Sequence, residues 1–451
     1  MRLPSSRLTK IFSGLVLAGG VALAPLTAMA QDQKLVIVTS FPSDLTKVFK
    51  DAFEKEYPAT KLEILKKSTS SGIKYVQETA GNNQSDLFWA SAPDAFEVLK
   101  GDNLLQEYRS RVDGIPDKVG AFPINDPDGY YKGFAAAGYG FMWNTRYMKA
   151  KGLPEPKEWE DLRKPVYHGH LGMSAPSRSG TTHLTVETIL QGKGWDEGWK
   201  VLKDMSGNFK TITERSFGVP DGVNSGNFGV GIVIDFFGLS SKGAGFPVEF
   251  RYPTVTTLVP ANIGVIKNAP NPEAAGKFID FLLSEKGQEL LLDPKIRRLP
   301  VNPAIYAKAP ADFPNPFKDS SIGSALKFDL DQSKPRYNLV NSLFDVMITY
   351  RMEDLQEATA KIQELEAALA ETPNDQAGSM LVLAKKLVAQ VPITEAQSLD
   401  KDFAAIFTKK RKKATDTVTG RQAEVEQEWD TFTVNNYRKA TEIAEKALDL
   451  L

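Results

Sequence analysis

Residues 130–144 read YYKGFAAAGYGFMWN, an extended run rich in glycine and aromatic side chains. A second extended run, TLVPANIGVIK, occupies 257–267. The two bracket the middle of the chain. This is the pattern of a two-lobed protein whose chain enters the second lobe along one crossing strand and returns along another. It assigns 31–132 with 263–320 to a first lobe and 133–262 to a second. Two lobes joined by paired strands suit hinge closure around a cleft.

Outward from these runs, 34–40 (KLVIVTS) reads as a buried strand, with 62–66 and 86–91 as two more. After the first strand, Leu45, Val48, Phe49, Ala52 and Phe53 recur at helical spacing. In the middle, 230–235 is another apolar strand, and 182–191 and 195–205 read as helices. Strands alternating with helices imply βαβ units and a largely parallel sheet, an α/β fold. Past residue 335 the strand signals stop. Leu355, Ala358, Ile362, Leu365 and Leu369 step by three and four, and helical patterns recur at 376–390, 396–414 and 419–450. Residues 335–451 therefore read as an all-helical C-terminal extension. Its heptad-like stretch is too short for a long coiled coil, so it is expected to pack against the lobes.

Composition narrows the function. The chain has 451 residues and no cysteine, which excludes disulfides and thiolate metal sites. Residues 1–30 read as a secretory signal peptide: a positive start (Arg2, Arg7, Lys10), an apolar stretch, and Ala28-Met29-Ala30 as a cleavage pattern. Removing those three positive charges takes the formal net charge from −1 to −4, and nothing suggests a nucleic-acid binder. After it, no apolar run reaches the roughly 20 residues of a spanning helix. The mature protein is expected to be exported and not membrane-spanning.

The junction with the richest chemistry is 174–191, SAPSRSGTTHLTVETILQ. A helix start exposes unpaired backbone N–H groups and a positive dipole end, which attract anions. Gly180 allows close backbone approach. Ser177, Ser179, Thr181 and Thr182 add hydroxyl donors, and Arg178 adds a charged fork. Plain helix capping explains the same residues. Ser40 and Ser43 follow the first strand, Thr69, Ser70 and Ser71 follow the second in a polar loop at 68–72, and Ser91 ends the third. Open α/β sheets bind ligands at such carboxyl ends, although turn chemistry alone also favours these residues there. Ser216 and Asp235 complete the candidate ligand-binding set.

Other motifs are weaker. The pattern is not a phosphate-binding G-K-[ST] loop, and no G-x-S-x-G elbow or nucleophile–His–Asp set can be assembled. His168 and His170 lack a partner motif and read as structural, whereas His183 adjoins the anion loop and is a possible ligand contact. Tyr130 and Tyr131 read as packing aromatics. Residues 409–413 (KKRKK) read as a solvated helix face, with contact to an acidic membrane-protein surface as the alternative.

From 34 to 320 the chain resembles the periplasmic binding proteins of ABC transporters, in the ferric-iron-binding-like group. The resemblance rests on KLVIVTSFP, SDLFWAS, GYGFMWN, SAPSRSGTTH, the segment beginning TLVPANIGVIKNAPNPEAAGKFIDFLLSEKGQELL, and RRLPVNP. Within the group it is most similar to phosphoglycerate transport binding/regulatory proteins and hexose-phosphate-binding relatives. The resemblance implies a type II two-lobed fold with hinge strands, periplasmic location, an inner-membrane ABC permease as partner, and no enzymatic activity or cofactor. Iron-binding members carry an adjacent tyrosine pair where this chain has Phe236 and Phe237. Phenylalanine has no phenolate to ligate ferric iron, while the small-residue anion loop, Ser179-Gly180-Thr181, is intact. The expected ligand is therefore a small phosphorylated organic anion (phosphoglycerate-like, sugar phosphate or phosphonate), held without metal. Asp235 would meet a ligand hydroxyl or amine, or cap the strand end. The alternatives are an input protein for a membrane sensor kinase and a ferric-ion carrier with a replaced site.

Overall fold

A computed structural model describes residues 33–319, 322–323, 326–408 and 418–451. The expected signal peptide and the basic run at 409–413 lie outside the described residues.

The first strand, Gln33–Thr39, buries Leu35, Ile37 and Val38. It runs parallel to Thr60–Lys66 on one side and to Leu87–Ala90 on the other. Leu45, Phe49 and Phe53 form one buried stripe of the intervening helix Ser43–Glu56, the i, i+4 spacing that faces a sheet. The return strand, Leu258–Ile266, is buried along its whole length and lies antiparallel to Leu87–Ala90.

The crossing strand is Lys132–Asn144. Its first half pairs with the return strand, ending at Gly138 opposite Leu258. One residue later it changes partner: Tyr139 lies opposite Ile234, and Val230–Ile234 follows it into the second lobe. There the sheet continues through Leu171–Ser174 to Phe209–Thr213, both joined in parallel. Among the described residues the two lobes thus share one curled eleven-stranded sheet. The glycines of the opening motif have a steric reason. A Cβ at Gly140 would stand 2.1 Å from the Arg251 carbonyl of the neighbouring strand Val248–Arg251. The aromatics serve different cores, Phe134 in the first lobe and Phe141 and Trp143 in the second.

The helical region is part of the second lobe's core. One apolar cluster joins Trp199, Leu202 and Met205 of helix Trp195–Ser206 to Leu343, Leu355, Trp429 and Tyr437 of the C-terminal helices. Trp195 Nε1 donates to the Ile393 carbonyl (3.1 Å), and Arg351 grips Asp430 at 2.7 and 2.6 Å. The long helices are Met352–Glu371, Asp375–Ala389 and Arg421–Leu448.

Two local expectations need correction. The helix expected at 396–414 is broken into Glu395–Leu399 and Lys401–Ala404, because Asp400 turns its carboxylate onto the N–H groups of Asp402 and Phe403 and starts a new helix. The stretch 68–72, expected as a polar loop, is a helix start: Ser68 caps Thr69–Thr79 by accepting from the Ser71 N–H.

Candidate functional site

The cleft forms where the strand ends of both lobes meet. Ser40, Thr69 and Ser91 contribute from the first lobe; Arg178, Ser179, Thr181 and Ser216 contribute from the second, and together they line an inner pocket of about 20 Å³. Among the described residues, Arg215 is its other cation and no carboxylate lines it. An outer pocket of about 630 Å³ adjoins it, sharing Pro42, Phe217, Phe236 and Phe237 as walls. That volume is within the range of small-molecule sites.

The second lobe's wall is the N-terminus of helix Gly180–Lys193. Ser179 is its N-cap, accepting from the Thr182 N–H at 3.3 Å, and its hydroxyl is 2.8 Å from that of Thr181. Capping and display of hydroxyls to the cleft therefore coexist. Gly180 is required by lobe contact: a Cβ there would meet Ala92 at 2.7 Å and Thr69 at 3.0 Å. The lobes also touch through Ser70, whose hydroxyl donates to the Ser177 carbonyl at 3.1 Å.

Several expected residues lie elsewhere. Ser43 is exposed and accepts from Lys66 Nζ, and Ser71 pairs with Ser68. Ser70, Ser177, Gly180 and Thr182 are buried around the lobe contact and do not line the inner pocket. Asp235 is fully buried and lines neither pocket. It accepts from the Gly138 N–H (2.7 Å), the Tyr252 hydroxyl (2.8 Å) and the Phe236 N–H (2.7 Å), tying the crossing strand to the phenylalanine pair. Burial pushes its pKa up to about 6, against those hydrogen bonds and the Arg298 charge. His183, a possible ligand contact by sequence, is fully buried behind the loop, 3.0 Å from Asp94.

Arg298 was not anticipated. It is 1% exposed and lines the outer pocket beside Phe236 and Phe237. Its guanidinium lies 3.3 Å from the Phe236 ring centre and 4.6 Å from that of Phe41. Burial lowers its pKa to about 9, so it stays charged at neutral pH. An arginine beside LPVNP reads as surface, so the only signal was its place in RRLPVNP. A resident cation stacked on Phe236 opposes a second cation at this pair, and the pair offers no phenolate. Among the described residues, no cluster of three His, Asp or Glu could hold a metal ion.

The sequence pattern of the bacterial extracellular solute-binding protein family matches residues 82–320. The chain belongs to that family. This solute-binding protein is 29% identical over 417 residues to the phosphoglycerate transport regulatory protein PgtC of Salmonella typhimurium, an alignment covering 92% of this chain and 97% of that protein. Over 69% of its length its fold is similar to that of the periplasmic binding protein AfuA from Actinobacillus pleuropneumoniae, solved with exogenous fructose-6-phosphate (TM-score 0.62, 23% identity, 98% of that chain). The apo ferric ion-binding protein A of Pasteurella haemolytica is similar at TM-score 0.57 and 16% identity, over 69% of this chain and 97% of that one. Solute-binding proteins of the ABC transporter type imply a ligand and a permease as partners, and are typically non-enzymatic. Among the described residues, no helix is long and apolar enough to cross a membrane.

Proposed function

We propose that this solute-binding protein captures a small phosphorylated organic anion in the periplasm and delivers it to an inner-membrane ABC permease. The lining of the inner pocket carries the reading: hydroxyls at a helix N-terminus and two arginines, with no carboxylate among the described residues. Such a wall stabilises negative charge by donated hydrogen bonds and by the helix dipole, and it does so without a metal. In this reading the lobes are 31–132 with 263–320 and 133–262, and 335–451 is a helical extension fastened to the second. The names of PgtC and of the fructose-6-phosphate-bound AfuA agree with this ligand class. No nucleophile is used; binding is reversible.

One observation favours a signalling role beside transport. The alignment with a protein named as a transport regulator spans 92% of this chain, so it reaches well into the helical layer. We keep presentation of the ligand-bound form to a membrane sensor kinase as the second reading.

The loop gives the test. Ser179→Ala combined with Thr181→Ala, measured by titration calorimetry against phosphorylated anions, is expected to weaken binding by about 1.5–3 kcal/mol per lost charge-assisted bond. Unchanged affinity would reduce the loop to a helix cap.

A further inference from the structure

Two strands, Lys132–Asn144 and Leu258–Ile266, join the lobes. To reach the helical region, the chain crosses between the lobes a third time. At Phe328 it still packs on the first lobe, its ring 6.1 Å from that of Phe122 between centres. From the next residue it is fastened to the second. Gln191 of helix Gly180–Lys193 donates to the Asp329 carbonyl at 3.1 Å and accepts from the Asp329 N–H at 2.8 Å. Arg336, fully buried, grips Glu187 of the same helix through Nε at 2.9 Å and Nη2 at 2.8 Å. Beyond it, Leu339, Val340 and Leu343 enter the second lobe's apolar cluster.

Between these two fastenings the chain reaches back to the first lobe. Ser333, at the end of the short helix Leu330–Ser333, donates to Asp94 at 3.3 Å. Lys334 Nζ lies 3.3 Å from a Glu97 carboxylate oxygen, and the Tyr131 hydroxyl holds the other at 2.5 Å. Asp94 and Glu97 both belong to helix Pro93–Gly101 of the first lobe. Asp94 and Ser333 are fully buried, so water does not compete for their bond while the lobes touch. The contacts stand beside the cleft. Asp94 is three residues past Ser91, and the His183 it meets is two past Thr181; Ser91 and Thr181 both line the inner pocket. The strap at 329–336 travels with the second lobe, so rotation of the lobes about the hinge strands separates Ser333 from Asp94 and Lys334 from Glu97. We infer that residues 329–336 are a closure strap, which grips the first lobe when the cleft is closed and holds a share of the ligand-free chain in that state. A ligand that closes the lobes sets the strap, and by linkage the strap tightens the ligand.

The test is made without ligand, so its outcome is independent of what the cleft binds. The chain has no cysteine. Lys61→Cys with Asp196→Cys, one exposed position in each lobe, therefore carries a single pair of spin labels in the full chain. Distances from pulsed electron–electron resonance are expected to show a short and a long population in the otherwise native chain. Ser333→Ala with Lys334→Gln is expected to lower the ratio of short to long about 10-fold, the combined effect of one buried hydrogen bond and one partly exposed ion pair. Lys334→Gln alone replaces a partly exposed side chain and guards against misfolding of the double variant; it is expected to lower the ratio about 2- to 3-fold. A native distribution with no short population overturns the inference, as does one that neither variant changes. A shift toward short distances also overturns it, because the segment would then be a prop that keeps the lobes apart.

Discussion

His183 Nε2, in the second lobe, lies 3.0 Å from Asp94 Oδ2, in the first, and both side chains are fully buried. The C-terminal region completes the cluster: Asn341 Oδ1 is 2.8 Å from His183 Nδ1, and Ser333 donates to Asp94 at 3.3 Å. Burial disfavours the imidazolium, but the Asp94 and Glu187 charges and the hydrogen bonds outweigh it, so the pKa of His183 is raised. A raised folded-state pKa stabilises the protein fully below the ordinary histidine range and progressively less as pH rises through the raised value. Relative to His183→Gln, the native chain is therefore expected to lose unfolding free energy as pH climbs above about 6.5. The substitution also strands a buried carboxylate, at a cost of about 3–5 kcal/mol at pH 6. Urea denaturation of both proteins across pH checks this; parallel curves would contradict it.

Lys203 has the opposite sign. It is 1% exposed, and burial pulls its pKa down to about 7 although it donates to the Val388 carbonyl (3.0 Å) and to that of Gln390. The unfolded chain holds this proton up to the ordinary lysine range, so folding is favoured as pH rises between about 7 and 10. Compared with Lys203→Met, the native protein is expected to gain stability over that interval. The same denaturation series checks it, since each variant isolates its own group.

Gly180→Ala is expected to hinder lobe contact without unfolding either lobe. Its Cβ would collide with Ala92, whereas the helix it begins tolerates alanine well. We expect an unchanged far-ultraviolet circular dichroism spectrum, a larger radius of gyration with ligand, and affinity lowered at least about 10-fold through the smaller competent population. Native-like affinity would show that the lobes need not approach so closely.

The helical region is expected to be indispensable to the second lobe. Leu343→Ala removes a fully buried side chain from the shared cluster and is expected to cost about 2–5 kcal/mol in unfolding free energy while leaving affinity within about 3-fold. Truncation after residue 334 is expected to yield a chain that aggregates. A soluble, ligand-binding truncation would show the layer to be dispensable.

The two-lobed α/β architecture was legible because its signals are local. Buried strands announce themselves as apolar runs, and the glycine-rich stretch at 130–144 reports a backbone crowded from both sides. The place of the helical layer was not legible: an amphipathic face at Leu355, Ala358 and Ile362 says that something covers it, not that Trp199 and Met205 do. The hydroxyls of Ser179 and Thr181 could be found because a helix cap is written in neighbouring residues. His183, offered by the sequence only as a possible contact, stands two positions after the cleft-lining Thr181, about 200° around the helix, which turns it from the cleft to the buried Asp94. Arg298 was invisible because its burial comes from Phe41 and Phe236, which stand far from it in sequence.

The central claim is that the cleft holds a phosphorylated anion. The most direct measurement is the melting temperature of the full chain with 3-phosphoglycerate, phosphoenolpyruvate, glucose 6-phosphate or aminoethylphosphonate, beside glycerate and glucose as phosphate-free controls. A ligand that binds only the folded state at about 100 times its Kd adds roughly 2.7 kcal/mol of stability. The account predicts one large upward shift with a phosphorylated compound and none with its phosphate-free counterpart. A flat response to every phosphorylated compound, or an equal shift with the controls, would contradict it.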